Sequence, residues 1–323
     1  MFGKMREVLV LKNIWGDVIV NEFRSKIENI VPVRELFFPS TPAFGKYNFI
    51  MPEDSVAHPA KFNTNLVEFL IETYTKEGDV ILDPMAGTGI MGVIASLKGR
   101  NAVQVELESR FFEWMEKARE NVEKTQTITP KGWIKNIHGD ARRLSELITT
   151  IDICITSPPY ESSFEGGSRH SGGILEREKK HGVDTVLLIG EGVKYSDDKN
   201  NIGNLKSSKE EYESLEHATL YKSYRETYLS AMLIVYKEIW KVLKEGGLAI
   251  VVVKPLIRSK KVIDLPYYTW KLLENVGFKL EKVYKLRLDR LSFWRILYYK
   301  KHQNVPVIHH EYVLVVKKGD VVG

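Results

Sequence analysis

Val80-Ile81-Leu82-Asp83-Pro84-Met85-Ala86-Gly87-Thr88-Gly89-Ile90 reads, in order, as a short apolar strand, a glycine-rich turn and the start of a helix. Three apolar residues bounded by turn formers suit a buried strand. Gly87 and Gly89 let the backbone turn sharply and approach a ligand closely. The run lacks the Gly-Lys-Ser/Thr ending of a nucleoside triphosphate loop and the full glycine pattern of a dinucleotide fold. The same alternation extends outward on both sides. Residues 65–75 carry Leu66, Phe69, Leu70 and Thr73 at helical spacing, and 90–98 form a helix stopped by Gly99. Then come a strand over 102–105, a helix over 110–124, a strand over 134–137, a short helix over 143–148 and a strand over 151–156. After a break, a helix over 224–243 is stopped by Gly246-Gly247, and a strand over 248–253 and a helix over 265–275 follow. The last strands, 279–288 and 312–317, have no helix between them and predict an antiparallel edge pair. The expected fold is α/β, doubly wound and Rossmann-like, with a seven-stranded, mostly parallel sheet and an antiparallel edge strand.

The strand ends carry the chemistry. Glu106 follows the second strand, 23 residues after Asp83, where a carboxylate can accept hydrogen bonds from ribose hydroxyls. Asp140 follows the third strand, where it can accept from an adenine amino group while the Ala141 amide donates to the ring. At the end of the fourth strand, Thr156-Ser157-Pro158-Pro159-Tyr160 must leave the sheet, because prolines cannot continue a central strand. Such a rigid segment can aim carbonyls at a substrate amino group, and Tyr160 offers a flat face for a base.

Composition bounds the alternatives. The 323 residues are 43% hydrophobic and 28% charged, as expected of a globular protein. No apolar run approaches the roughly 20 residues that span a bilayer. The N-terminus lacks a signal-peptide pattern, so no membrane role and a cytoplasmic location are expected. The single cysteine, Cys154, lies in a buried-strand pattern and excludes an intramolecular disulfide. His302, His309 and His310 have no partners at metal-ligand spacing, so no metal is expected. The net charge of +5 is unevenly spread: residues 254–310 hold 13 Lys/Arg against 4 Asp/Glu, whereas 161–222 hold 9 against 12. Lys254, Arg258, Lys260, Arg290, Trp294 and Arg295 are the candidate substrate-binding residues of that basic region, where cations interleaved with aromatics suit a polyanion. Tyr298 and Tyr299 could equally be core.

With both motifs in view, the chain resembles the amino-methyltransferases that modify cytosine N4 or adenine N6, whose hallmark is Ser/Asp/Asn-Pro-Pro followed by an aromatic residue. The likeness covers residues 58–160 closely and 223–323 by architecture. It implies S-adenosylmethionine as cofactor, held by Asp83, Pro84, Ala86, Gly87, Thr88, Gly89, Glu106, Asp140 and Ala141. His58, Lys61 and Phe62, in His58-Pro59-Ala60-Lys61-Phe62, would close over its methionine part. It also implies that Ser157, Pro158, Pro159 and Tyr160 are catalytic, and the Ser form favours cytosine N4. Residues 1–57 are then an N-terminal extension, 58–160 with 223–323 the catalytic domain, and 161–222 an insertion that shapes the target pocket. These 323 residues hold no large target-reading domain, so structured RNA, ribosomal RNA above all, is the favoured substrate. A DNA N4-cytosine or N6-adenine enzyme, a tRNA guanine N2 enzyme and a non-catalytic nucleic-acid-binding module are the alternatives.

Overall fold

A computed structural model of the chain describes residues 9–13, 16–39, 41, 43–58, 61–161, 198, 200–217, 221–222, 225–288, 299 and 301–319. An N-terminal hairpin, β1 (Leu9–Asn13) and β2 (Gly16–Val20), precedes β3 (Val33–Phe37) and α1 (Thr64–Tyr74). There follow β4 (Val80–Asp83), α2 (Ile90–Leu97), β5 (Asn101–Glu106), α3 (Ser109–Lys124), β6 (Ile134–His138), α4 (Leu144–Leu147) and β7 (Ile151–Thr156). The second half holds α5 (Lys209–His217), α6 (Tyr228–Val242), β8 (Leu243–Val253), the hairpin β9 (Leu256–Arg258) and β10 (Lys261–Ile263), α7 (Leu265–Val276), β11 (Lys279–Arg287) and β12 (His310–Lys317). One sheet runs in the order β3-β11-β12-β8-β7-β4-β5-β6, and β12 alone is antiparallel to its neighbours.

The α/β class and the antiparallel pair agree with the expectation, but the sheet has eight strands. The additional one is β3, from the segment read as an extension. It pairs parallel with β11, so the antiparallel pair is not at the edge. Of its side chains only Leu36 is buried, and an edge strand so exposed, with Val33, Leu36 and Phe37 out of alternation, shows no period-2 pattern to read. Gly246-Gly247, expected to stop a helix, lies inside β8. The helix ends at Val242 and the chain enters the sheet at once, Leu243 pairing with Ile151.

Successive strand residues face opposite layers, as a pleated strand requires. Leu82, Cys154, Val251 and Val253 face α6 and α7, whereas Ile81, Ile153, Ile250 and Val252 face α1 and α2. Cys154 is fully buried and burial raises its thiol pKa, so it is a core residue. The first layer also takes Ile202, Tyr212, Leu215 and Tyr221, which come from the stretch read as an insertion. Residues 162–197 lie outside the described residues.

The N-terminal segment is bonded to the sheet layers. Buried Asp264 N-caps α7 and accepts the Ser25 hydroxyl and the Lys26 amide, both at 2.6 Å. Asp264→Ala removes the cap and leaves one buried and one part-buried donor without their acceptor, and should cost about 2–3 kcal/mol, seen as a lower urea midpoint with unchanged slope.

Within the eight-stranded sheet every strand except β12 ends on the same edge. The chain winds outward from β4 through β5 to β6, then returns to place β7 on the other side of β4. The strand order reverses between β4 and β7, and that crevice is where open α/β sheets bind ligands.

Candidate functional site

Asp83 ends β4 and Thr156 ends β7, so the pairing of the two strands brings both glycine-rich and proline-rich turns to one crevice. The Thr156 hydroxyl donates to Asp83 Oδ1 at 2.9 Å, and the Met85 amide donates to the same oxygen at 3.3 Å. Burial pushes the Asp83 carboxyl up to about 7 against these two bonds.

The turn itself demands glycine. Gly87 has φ +55° and a Cβ there would lie 3.0 Å from His58 Nε2; Gly89 has φ +76° and its Cβ would lie 2.8 Å from Met115 Cγ. His58 is buried on Phe111, ring centroids 4.4 Å apart, and forms one wall. Lys61 donates to the carbonyls of Val56 and His58 at 2.8 and 3.2 Å, which braces that wall. Pro59 and Ala60 lie outside the described residues.

Glu106 ends β5 and is buried. Its Oε2 accepts the Gly87 amide at 2.7 Å and its Oε1 the Glu108 amide at 2.9 Å. Burial pushes this carboxyl also up to about 7. Each oxygen has capacity for a further donor. Asp140 differs from expectation. It accepts the Arg142 amide at 2.9 Å as an N-cap, and its Oδ2 pairs with the Arg142 guanidinium at 2.6 Å. Arg142 bridges onward to Glu226 at 2.8 Å and the Asn200 carbonyl at 3.2 Å. The acid that sequence reading offered to an adenine thus shares its oxygens with Arg142, because no pattern in the sequence signals that Arg142 folds back.

Beyond β7, Ser157 and Tyr160 are half-buried and Pro158 is buried. The Tyr228 hydroxyl donates to the Pro159 carbonyl at 3.0 Å. The Lys254 ammonium stands 4.7 Å from the Tyr160 ring centroid and 3.6 Å from Glu311 Oε1. A cleft of about 430 Å³ is lined by His58, Lys61, Phe62, the 83–88 turn, Glu106, Asp140, Ala141, Lys254 and all of 157–160. The sequence-predicted cofactor and catalytic groups, apart from Gly89, therefore line one cavity, of the size that takes a small molecule.

The predicted basic residues separate. Lys254 is in the cleft. Lys260 is exposed at the tip of the β9–β10 hairpin, where Ser259 and Lys260 both have positive φ. Arg258 faces inward, against expectation: it pairs with Glu161 at 2.5 Å and donates to the Ser207 carbonyl at 2.7 Å. Tyr299 is core, packed with Val305 and Val307 against the hairpin. Arg290, Trp294 and Arg295 lie outside the described residues. Sequence reading missed Glu311, whose signal was a lone acid in an apolar strand. Asn201, from the stretch read as an insertion, also lines the cleft; it donates to Glu108 at 2.6 Å and accepts the Gly203 amide at 2.9 Å. Among the described residues no three His, Cys, Asp or Glu converge on a metal position, and no helix is long and apolar enough to cross a membrane.

The residues present fit S-adenosylmethionine. A cradle that a Cβ at Gly87 would fill lies beside a buried carboxyl able to accept from ribose hydroxyls. A second buried acid, Asp83, lies under the turn, where a sulfonium and an ammonium require negative charge.

Residues 7–118 match a family model described as DNA methylase, of the N6/N4 methyltransferase type. Over 55 residues, 17% of this chain, it is 40% identical to Type II methyltransferase M2.DpnII of Streptococcus pneumoniae, covering 20% of that protein. Over 73 residues, 23% of this chain, it is 34% identical to Type II methyltransferase M.HinfI of Haemophilus influenzae, also covering 20% of it. The chain thus spans about one fifth of the length of the curated relatives it matches. Among solved structures, TrmN from Thermus thermophilus superposes with a TM-score of 0.41 at 12% identity, over 79% of this chain and 48% of that one. The family match supports the likeness to the N4/N6 amino-methyltransferases and with it S-adenosylmethionine as cofactor. It ends ahead of Ser157, so it leaves the roles of 157–160 open. None of these matches supports RNA over DNA.

Proposed function

We propose that this chain uses S-adenosylmethionine to methylate the exocyclic amino group of a base in DNA, with cytosine N4 the favoured acceptor. The observation that carries this is the Thr156–Asp83 hydrogen bond, which joins a cofactor-type turn to the Ser157-Pro158-Pro159-Tyr160 turn in one cleft. DNA replaces the RNA expectation. That expectation rested on the lack of a target-reading domain in these residues, and a chain spanning one fifth of its relatives does not bear on that question, whereas the matched family model is described as DNA methylase.

When bound, the cofactor supplies an electrophilic methyl group. The chain's own residues have the harder task, because an amine conjugated with its ring is a poor nucleophile. The Ser157 hydroxyl and the Pro158 carbonyl accept the amino hydrogens and turn the lone pair out of conjugation. Tyr160 stacks on the base and holds the angle of attack, so most of the rate enhancement comes from positioning. A base inside a duplex must leave the stack to reach this cleft. The Ser form of the motif favours cytosine over adenine.

The deciding experiment incubates the purified protein with labelled S-adenosylmethionine and, separately, duplex DNA, ribosomal RNA and tRNA, followed by nucleoside mass spectrometry. N4-methylcytosine in DNA is expected. N6-methyladenine in DNA would change the base, label in RNA alone would return the polymer to RNA, and N2-methylguanine in tRNA would overturn both. The polymer should also meet the hairpin tip. Lys260 and Lys301 are exposed, and after partial burial these two cations are what lowers the His302 pKa. Lys260→Glu with Lys301→Glu should weaken DNA binding and flatten the slope of log affinity against log salt by about 2, one per lost phosphate contact, with cofactor affinity unchanged.

A further inference from the structure

We propose that Glu161 and Tyr228 are positioning residues that clamp Tyr160 from its two sides and so set the platform on which the target base stacks. This rests on the reading of 157–160 as the base-binding turn. Two prolines make that turn stiff in itself, yet nothing in the motif fixes its direction relative to the sheet. Tertiary contacts do so. On the N-terminal side of Tyr160, the buried Tyr228 hydroxyl donates to the Pro159 carbonyl at 3.0 Å, which fixes the plane of the peptide that leads into Tyr160. Burial raises the Tyr228 pKa well above that of an exposed tyrosine, so the hydroxyl remains a donor at neutral pH.

On the C-terminal side, the next residue is Glu161, whose side chain is wholly buried. One of its oxygens accepts the Ser207 amide. The other accepts the Tyr212 hydroxyl and pairs with Arg258 at 2.5 Å. Arg258 closes the ring by donating to the Ser207 carbonyl at 2.7 Å, and the Ser207 hydroxyl accepts the Leu229 amide at 3.0 Å. Leu229 directly follows Tyr228, so both halves of the clamp are anchored at the first turn of α6. A buried acid with three partners in such a ring is costly to assemble and rigid once made. Its place, one residue past the platform, gives it a function that packing alone does not require.

The test compares Tyr228→Phe and Glu161→Gln with Glu238→Gln, a control that weakens the bonds of buried Glu238 to Ser145 at the other end of α6. Two readouts are taken: steady-state methyl transfer, and fluorine NMR of a fluorotyrosine at position 160. Each clamp variant should lower kcat about 10-fold, since misplacing a reacting group by about 1 Å costs up to ~100-fold, while the cofactor KM stays within about twofold. The fluorine resonance should broaden or split in both clamp variants and stay single in the control. Wild-type kcat with an unchanged resonance in both clamp variants would overturn the proposal, as would the same losses in Glu238→Gln. If the wild-type protein methylates no nucleic acid, the proposed function fails. The clamp is then decided by the resonance alone, broadening supporting it and an unchanged signal refuting it.

Discussion

Tyr160→Ala and Ser157→Ala should each lower methyl-transfer turnover by about 100-fold or more while the dissociation constant for S-adenosylmethionine stays within about twofold. Both side chains belong to the turn after β7 and not to the turn that would hold the cofactor. Ser157 and Tyr160 follow β7, whereas the glycine turn follows β4, and the tie between them runs through Thr156 and Asp83. The two variants should differ in one respect. Loss of the Ser157 hydroxyl removes an acceptor for an amino hydrogen, an interaction that strengthens as the lone pair turns, so kcat and kcat/KM should fall together. Loss of the Tyr160 ring removes stacking as well, so the polymer KM should rise. It also removes the ring that stands 4.7 Å from the Lys254 ammonium, whose contact with Glu311 does not depend on it. Wild-type turnover in Ser157→Ala, measured with cofactor saturating, would refute the proposed amino-group geometry.

The second large effect concerns Glu106. Glu106→Ala should weaken S-adenosylmethionine binding by about 100-fold, because it removes a charged acceptor for the ribose hydroxyls and leaves the Gly87 and Glu108 amides without their partner. In the wild-type protein the same carboxyl predicts a pH dependence. Its pKa is pushed up to about 7 by burial, so near neutrality part of the free protein carries it protonated. Ribose hydroxyls bind better to the carboxylate. Affinity should therefore rise about 10-fold from about pH 6 to about pH 8, with proton release on binding near pH 7. Calorimetry in buffers of different ionisation enthalpy measures that proton directly, and proton uptake or none would refute the assignment. Stability of the free protein runs the other way. A carboxyl whose folded pKa is raised contributes stability that is present below its unfolded pKa near 4 and is lost as pH rises to about 7, so the ligand-free protein should soften over the range in which it gains affinity.

The legible part of this protein is the part written locally. The buried strands 80–83 and 151–156 are runs of apolar residues closed by turn formers, and the helices 109–124 and 265–276 repeat their apolar residues at helical spacing. The cofactor-type turn was legible because the left-handed φ of Gly87 and Gly89 restricts those positions to glycine. The departures at Arg258 and Asp140 both trace to long charged side chains. Arg258 and Arg142 each carry a flexible stem that can reach solvent or fold back on a carboxylate two residues or many elements away, and no spacing in the sequence distinguishes the two outcomes. β3 was illegible for a related reason, since one buried residue in five makes no period.

The sequence by itself determined the doubly wound class, the order of the cofactor-type and proline-rich turns, and the acids that end β4 and β5, because each depends on backbone propensity and burial period within a dozen residues. Only the tertiary structure decided that β3 seals the β11 edge, that Asp140 shares its oxygens with Arg142, and that Tyr160 is gripped between Tyr228 and Glu161. Apart from Asp140 and Arg142, which are two residues apart, these depend on pairs far apart in the chain, Glu161 and Arg258 among them. Such a contact forms only after the sheet has brought its loops together, when burial has made an unpaired charge too costly to leave.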